Sequence, residues 1–270
     1  MASDVQTAMA EPATGDGERQ WNLDDLLASR RWVRHNRPFP HVYARDVFTS
    51  DFYATVHEEF ERIEREHPEA FRRNMKGYDA SGASIGRFRD GPLGVFASRE
   101  WHDLIARVAG VAGTGDVNAG LHHHDPGSDS GWPHNDLNPS WFAGPQPGPD
   151  EIRIENSGGV GVITGDRPPG MPVREVIRGV SLLFYLGNPD WEPGDGGETG
   201  LFTDLATAHA GPAVAVPPIN NSMVLFECTP RSWHTFISNR TKPRNSVVMW
   251  LHRAKDEAVQ RWGDENIEYW

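Results

Sequence analysis

The chain has 270 residues, 37% of them hydrophobic, with ten Trp and a formal net charge of −12. That length allows a sizeable core in one large or two small domains, and the composition excludes a wholly disordered chain. No cluster of Lys and Arg runs longer than Arg30-Arg31, which argues against nucleic acid or an anionic membrane as partner.

Residues 1–20 are rich in Ala, Gly, Glu and Thr, and a mobile tail is expected there. They lack the basic start and apolar centre of a secretory signal, and no stretch approaches the ~18–20 apolar residues of a membrane helix. A soluble cytoplasmic protein is the expectation. Asn22 caps a short predicted helix over 22–27. Residues 38–43 read as a strand leading into a helix over 49–66, where Phe52, Val56, Phe60 and Ile63 recur at three- and four-residue steps. Pro68 ends that helix. Residues 72–100 are mixed and Gly-rich, and a further helix is predicted at 101–111.

From about residue 115 the pattern changes to short apolar runs broken by Gly, Pro, Asn and Asp. Strands are predicted at 179–187, 213–216, 222–226, 234–237 and 246–251. Many short strands behind a helical layer suggest a β-sandwich or jelly roll, mainly β with flanking α. We read one domain over 21–270. Residues 140–178 stand apart, with Pro145-Gln146-Pro147-Gly148-Pro149 and Pro168-Pro169-Gly170 bracketing a Gly-rich run, and a lid or substrate loop is expected there. The sole cysteine, Cys228, rules out an intramolecular disulfide and a Cys-based zinc site, and is expected to be a buried packing residue.

The chemistry concentrates in Gly131-Trp132-Pro133-His134-Asn135-Asp136. On an extended segment, His134 and Asp136 point to one side, their Cα atoms roughly 6.5–7 Å apart, so both can reach one metal ion. His234 is the third candidate ligand. Two imidazoles and a carboxylate leave coordination positions open, the arrangement favoured by non-haem Fe(II) oxygenases. Alone, each piece has a bland reading: a loop pair, a core histidine bonded to a carbonyl, a surface cation at Arg244. Their order and spacing together favour a metal site. His122-His123-His124 offers a second candidate metal site, but alternation along a strand separates His123 from its neighbours.

The stretch 181–191, followed by Gly196-Gly197-Glu198-Thr199, Phe202, Met223-Val224-Leu225-Phe226, His234 and 244–250, resembles the 2-oxoglutarate/Fe(II)-dependent oxygenases of the prolyl-hydroxylase-like group. The resemblance covers 117–251, with a looser echo at 38–66. It implies a double-stranded β-helix, a cupin-like jelly roll with an N-terminal helical layer. It also implies Fe(II) held by His134, Asp136 and His234, with 2-oxoglutarate and O2 as cosubstrates and succinate and CO2 as coproducts. Arg244 follows His234 by ten residues and suits the far carboxylate of 2-oxoglutarate through paired charge-assisted bonds, with Ser246 and Tyr185 as companions. Relatives that halogenate lack the carboxylate at the position of Asp136, so its presence favours oxygen chemistry: hydroxylation, with desaturation or cyclisation as variants. Trp141, Phe142, Arg153 and Arg174 are the expected substrate contacts.

Three functions remain open on the sequence. The leading one is an oxygenase acting on a small molecule such as an amino acid or natural-product intermediate. The second is a peptidyl or protein prolyl hydroxylase. The third is a non-catalytic, cupin-like metal-binding sensor, against which Arg244 argues.

Overall fold

The computed structural model of the protein describes residues 21–29, 31–73, 79–155 and 157–269; the expected tail at 1–20 lies outside them. In chain order the first elements are α1 (Leu23–Leu26), β1 (Val33–His35), β2 (His41–Ala44), α2 (Ser50–Glu66), β3 (Ser81–Ser84) and α3 (Arg99–Ala109). There follow β4 (Asp116–His124), β5 (Pro139–Ala143), β6 (Arg153–Ile154), β7 (Val173–Tyr185) and β8 (Thr199–Leu201). The last are β9 (Val214–Val216), β10 (Ser222–Glu227), β11 (His234–Phe236), β12 (Arg244–Ala254) and α4 (Lys255–Trp262). No helix among the described residues is long and apolar enough to cross a membrane.

Local chemistry sets the helices. Thr49 caps α2, its hydroxyl accepting from the Phe52 N–H, and the apolar stripe buries Val56, Phe60 and Ile63 before Pro68 stops the helix. Ser98 caps α3 in the same way, and Gly110 closes it in the left-handed region at φ 73°. The strand predicted from residue 38 starts only at His41, because Pro38 and Pro40 have no N–H to give a ladder.

The strands form a jelly roll, mainly β with flanking helices. A large sheet runs β1-β2-β10-β7-β12-β4-β3, with β5 on the N-terminal part of β7 and β6 on β4, and a small sheet runs β11-β8-β9. Alternation along the central strands divides their side chains. Leu182 and Phe184 of β7, Leu225 of β10, and Val247 and Met249 of β12 pack in one cluster with Val56, Phe60, Trp101 and Ile105 of the helices. Phe184 meets Phe48 and Phe96 ring to ring and is fully buried, so truncation to Ala would cost about 3–5 kcal/mol. The opposite face, with Leu183, Val224 and Val248, packs with Leu201 of the small sheet. The register aligns Tyr185, Ser246 and His122 in one row across β7, β12 and β4 on that face.

One irregularity matters for the site. The β7–β12 register shifts between Leu251 and His252, passing over Gly179, so β7 bulges there. Strict alternation would put Arg178 on the face opposite to Ser181 and Leu183, since the offsets of three and five are odd. The bulge turns Arg178 onto their face, and all three line one cavity. A Cβ at Gly179 would lie 3.0 Å from Val111 and 3.1 Å from Arg253, so the bulge is sited where a side chain does not fit easily.

The long insertion is stitched to the sheet. β5 pairs with 173–177 of β7, β6 runs parallel to the start of β4, and the Trp141 N–H donates to Val162 O at 2.9 Å. Cys228 is a free, buried thiol packed in a cluster with Leu137, Ile177 and Ala258.

Candidate active site

His134, Asp136 and His234 come together between the two sheets, their ligand atoms within 4.8 Å of one another. Among the described residues this is the one such group of three metal-ligating side chains. His234 opens β11, and its N–H and C=O exchange hydrogen bonds with those of His134 at 2.8 and 3.0 Å. The route to convergence differs from the regular strand expected at 134–136. His134 makes only that isolated bridge, and Asp136 sits at φ 61°, in the left-handed region. Asn135 holds the turn: its side-chain oxygen accepts from Leu137 N–H, and its amide donates to Glu268. The Glu268 N–H in turn donates to Leu137 O, so the C-terminal segment straps the loop.

The imidazoles are oriented by carbonyls. Nδ1 of His134 lies 2.9 Å from Trp132 O, and Nδ1 of His234 lies 2.9 Å from Ser232 O. A carbonyl only accepts, so each Nδ1 carries the proton and each Nε2 presents its lone pair. Those Nε2 atoms lie 3.8 and 3.3 Å from the two carboxylate oxygens of Asp136. Burial and His234 push His134 down to about 4, so it is neutral at pH 7. Lone pairs converging on a carboxylate suit a cation between them, and two imidazoles with one carboxylate suit Fe(II).

Asp136 is held from behind. Burial alone would push its carboxyl up, but the Arg178 guanidinium beside it outweighs that, and the carboxyl is held well below the usual range. The Arg178 guanidinium donates to Oδ1 at 2.7 Å, the Trp250 indole N–H donates to Oδ2 at 2.7 Å, and Arg178 stacks 4.0 Å from the Trp250 ring. Neither support was anticipated. A charged residue inside the buried run 176–185 was the available signal for Arg178.

Arg244 lies in the same inner cavity, 2% exposed. Its guanidinium donates to Ser246 Oγ at 2.9 Å and Thr199 Oγ1 at 3.2 Å, and lies 5.2 and 5.6 Å from the rings of Tyr185 and Phe236. Among the described residues no carboxylate lies within 4.0 Å of it, and its Nε has no acceptor. A buried cation without a counter-charge is costly, and an anionic ligand would relieve it. Tyr185 and Ser246 do not line the cavity themselves; Tyr185 reaches it through Thr199, 2.7 Å from its hydroxyl. The Gly196-Gly197 turn brings Thr199 in: Gly196 has φ 81°, and a Cβ there would collide with Ser238 O.

His122 faces the same cavity, pushed down to about 4 by burial and by Arg244 and Arg178. His124 stacks 3.8 Å from Phe236 and is neutral, while His123 points away to Asn245, Glu64 and Asp125. The three histidines do not converge.

None of Trp141, Phe142, Arg153 and Arg174 lines a cavity of this site. Phe142 is buried against His252, Arg153 donates to the carbonyls of Ala143 and Pro145, and Arg174 pairs with the buried Asp116 at 2.9 Å. Each fastens the insertion to the sheet. The same insertion instead contributes Glu155 and 161–164 to an outer cavity of about 380 Å3, against about 70 Å3 for the inner one. His122, Arg178 and Trp250 line both, so the two adjoin.

Residues 168–252 match the family described as the 2OG-Fe(II) oxygenase superfamily. Prolyl 3,4-dihydroxylase OGFOD1 of Ostreococcus tauri is 37% identical over 91 residues, which is 31% of this chain and 18% of that protein. The matched stretch is thus under a fifth of that relative's length. A prolyl-4-hydroxylase from Pseudomonas putida superposes with a TM-score of 0.52 at 16% identity, covering 79% of this chain and 92% of that one. A Trichoplax adhaerens prolyl hydroxylase, solved with a peptide fragment of the hypoxia inducible factor oxygen degradation domain, gives 0.52 at 16% identity over 82% and 86%. At such identities these structures share the fold with this chain.

Proposed function

We propose that this chain, a member of the 2-oxoglutarate/Fe(II)-dependent oxygenase superfamily, is a dioxygenase that hydroxylates a small molecule. One observation carries the reading: a His-Asp-His cluster with inward lone pairs shares a buried cavity with an arginine that has no counter-charge. A metal-binding sensor needs the first of these and not the second.

His134 and His234 would hold iron through Nε2, and Asp136 through its carboxylate. Bound iron supplies O2 activation, with 2-oxoglutarate oxidised to succinate and CO2 as the substrate C–H becomes C–OH. Arg244 would take the far carboxylate of 2-oxoglutarate, with the Ser246 and Thr199 hydroxyls beside it. The Tyr185 hydroxyl fixes Thr199, and burial raises its ionisation, so it stays a neutral phenol. Arg178 and Trp250 fix the carboxylate of Asp136 in one orientation. The outer cavity would admit the substrate, and the insertion would act through Glu155 and 161–164.

The test is calorimetric titration of the Fe(II)-loaded protein with 2-oxoglutarate under anaerobic conditions, followed by succinate measurement after O2 is admitted. Binding that vanishes in Arg244→Leu supports the reading; binding that is equal in both proteins sinks it. The names of the relatives favour a second reading, hydroxylation of a prolyl residue in a peptide. Succinate release stimulated by a proline-containing peptide, and by no small molecule, would support that alternative.

A further inference from the structure

We infer that the outer cavity is a binding site for an elongated small molecule carrying an alkylammonium or guanidinium group, whose cation pairs with Glu155. Naming that molecule the substrate rests on the oxygenase reading; the cation site itself does not.

Glu155 lines this cavity and is 7% exposed. Its Oε1 accepts from Ser84 Oγ at 2.5 Å and its Oε2 from the Ala119 N–H at 3.2 Å. The peptide N–H can only donate, so that oxygen is held as an acceptor. Among the described residues no Lys, Arg or His nitrogen lies within 4.0 Å of this carboxylate; the ion pairs of the insertion fall elsewhere, at Arg174 and Asp116. Burial pushes the carboxyl up to about 7, as expected of an acid set in a wall without a counter-ion. A ligand cation supplies the missing charge, through the stronger class of hydrogen bond.

The cavity argues for the rest of the molecule. Its volume of about 380 Å3 lies within the range of small-molecule sites, ~300–1,000 Å3. Val162 and Ile163 of the insertion and Ala83 of β3 give it apolar wall suited to methylenes. Ala119 and His122 are three residues apart on β4, about 10 Å of strand. A molecule anchored at Glu155 must therefore extend by a length of that order to enter the inner cavity. Arg72 on the outer wall and Arg178 at the junction disfavour a second cation, which leaves Glu155, among the described residues, as the one carboxylate lining the outer cavity. A lysine or arginine side chain of a peptide offers the same chemistry, and the peptide probe below separates the two sources.

The test titrates the full chain calorimetrically with L-lysine, L-arginine, agmatine and putrescine, with and without Fe(II) and 2-oxoglutarate under anaerobic conditions. N-Acetyl-norleucinamide, N-acetyl-citrullinamide and 1,4-butanediol serve as neutral counterparts, and N-acetyl-glycyl-lysyl-glycinamide as the peptide probe. At least one free amine is expected to bind 30-fold or more tightly than its neutral counterpart, and to lose that advantage in Glu155→Gln. Should the variant fail to fold, the contrast between amine and neutral counterpart in the wild-type protein decides alone. The inference is overturned if no amine binds, if neutral counterparts bind as well, if Glu155→Gln binds amines unchanged, or if only the tripeptide binds. The arm without iron needs no turnover, so its failure leaves the iron reading standing. Amine binding without any binding of 2-oxoglutarate would sink the oxygenase reading and leave the cation site.

Discussion

The inner and outer cavities each wall in a buried charge without an opposite partner, and they bear that burden in different ways. Arg244 cannot shed its proton, so the protein wraps it in two hydroxyls and two aromatic faces and leaves the charge to be met from outside. Glu155 can take up a proton, since burial pushes its carboxyl up to about 7. A third buried charge shows what a purely structural solution looks like: Arg253, fully buried, meets Glu227 at 2.7 Å and Glu257 at 3.1 Å. Where architecture alone was at stake, the chain supplied its own counter-ions. At the two cavities it did not, and the cation there demands a ligand more insistently than the acid does.

The contrast can be broken most sharply at the His-Asp-His cluster. His234→Ala removes one of three converging side chains, and metal binding measured by equilibrium dialysis should fall by two orders of magnitude or more, with turnover lost. Full activity in that variant would remove His234 from the site. Next in size is Arg244→Leu, which should weaken 2-oxoglutarate binding by about 2–5 kcal/mol, or roughly 30- to several thousand-fold, while iron affinity stays within a few-fold. An unchanged cosubstrate affinity would mean that another cation holds the carboxylate.

Glu155→Gln sharpens the other side of the comparison, through stability. The folded protein holds this proton up to about pH 7, against about 4.5 in the unfolded chain, so the contribution is present below pH 4.5 and lost as pH rises through 7. Relative to the Gln variant, the wild type should therefore lose on the order of 3 kcal/mol across that window in urea melts. Parallel stability curves would show that Glu155 titrates normally. The smallest effect is expected from Trp250→Phe, which removes one N–H from Asp136 and keeps a ring under Arg178. Loss of such a support typically costs about 10–100-fold in metal affinity. No change would assign the orientation of Asp136 to Arg178 alone.

How much of this could be read beforehand depended on the range of the signal. The α2 stripe was legible because helical periodicity is local, and the central strands because apolar runs between turn residues are local too. His134, Asp136, His234 and Arg244 were legible as an ordered constellation, although the twist at Asp136 that joins the first two was not. Arg178 was missed because its face is set by a bulge at Gly179, and a bulge is a relation between two strands. The insertion was read for its aromatic and basic residues, yet Phe142 and Arg174 are consumed in tying it down. Glu155 passed unnoticed because only the placement of 153–155 beside β4 brings its side chain to the outer cavity.

The reciprocal backbone bonds between His134 and His234 have a consequence for kinetics. These two amides lock each other, so one cannot open to solvent while the other stays closed. Their hydrogen-exchange rates should fall and rise together, a paired clock for breathing of the pocket.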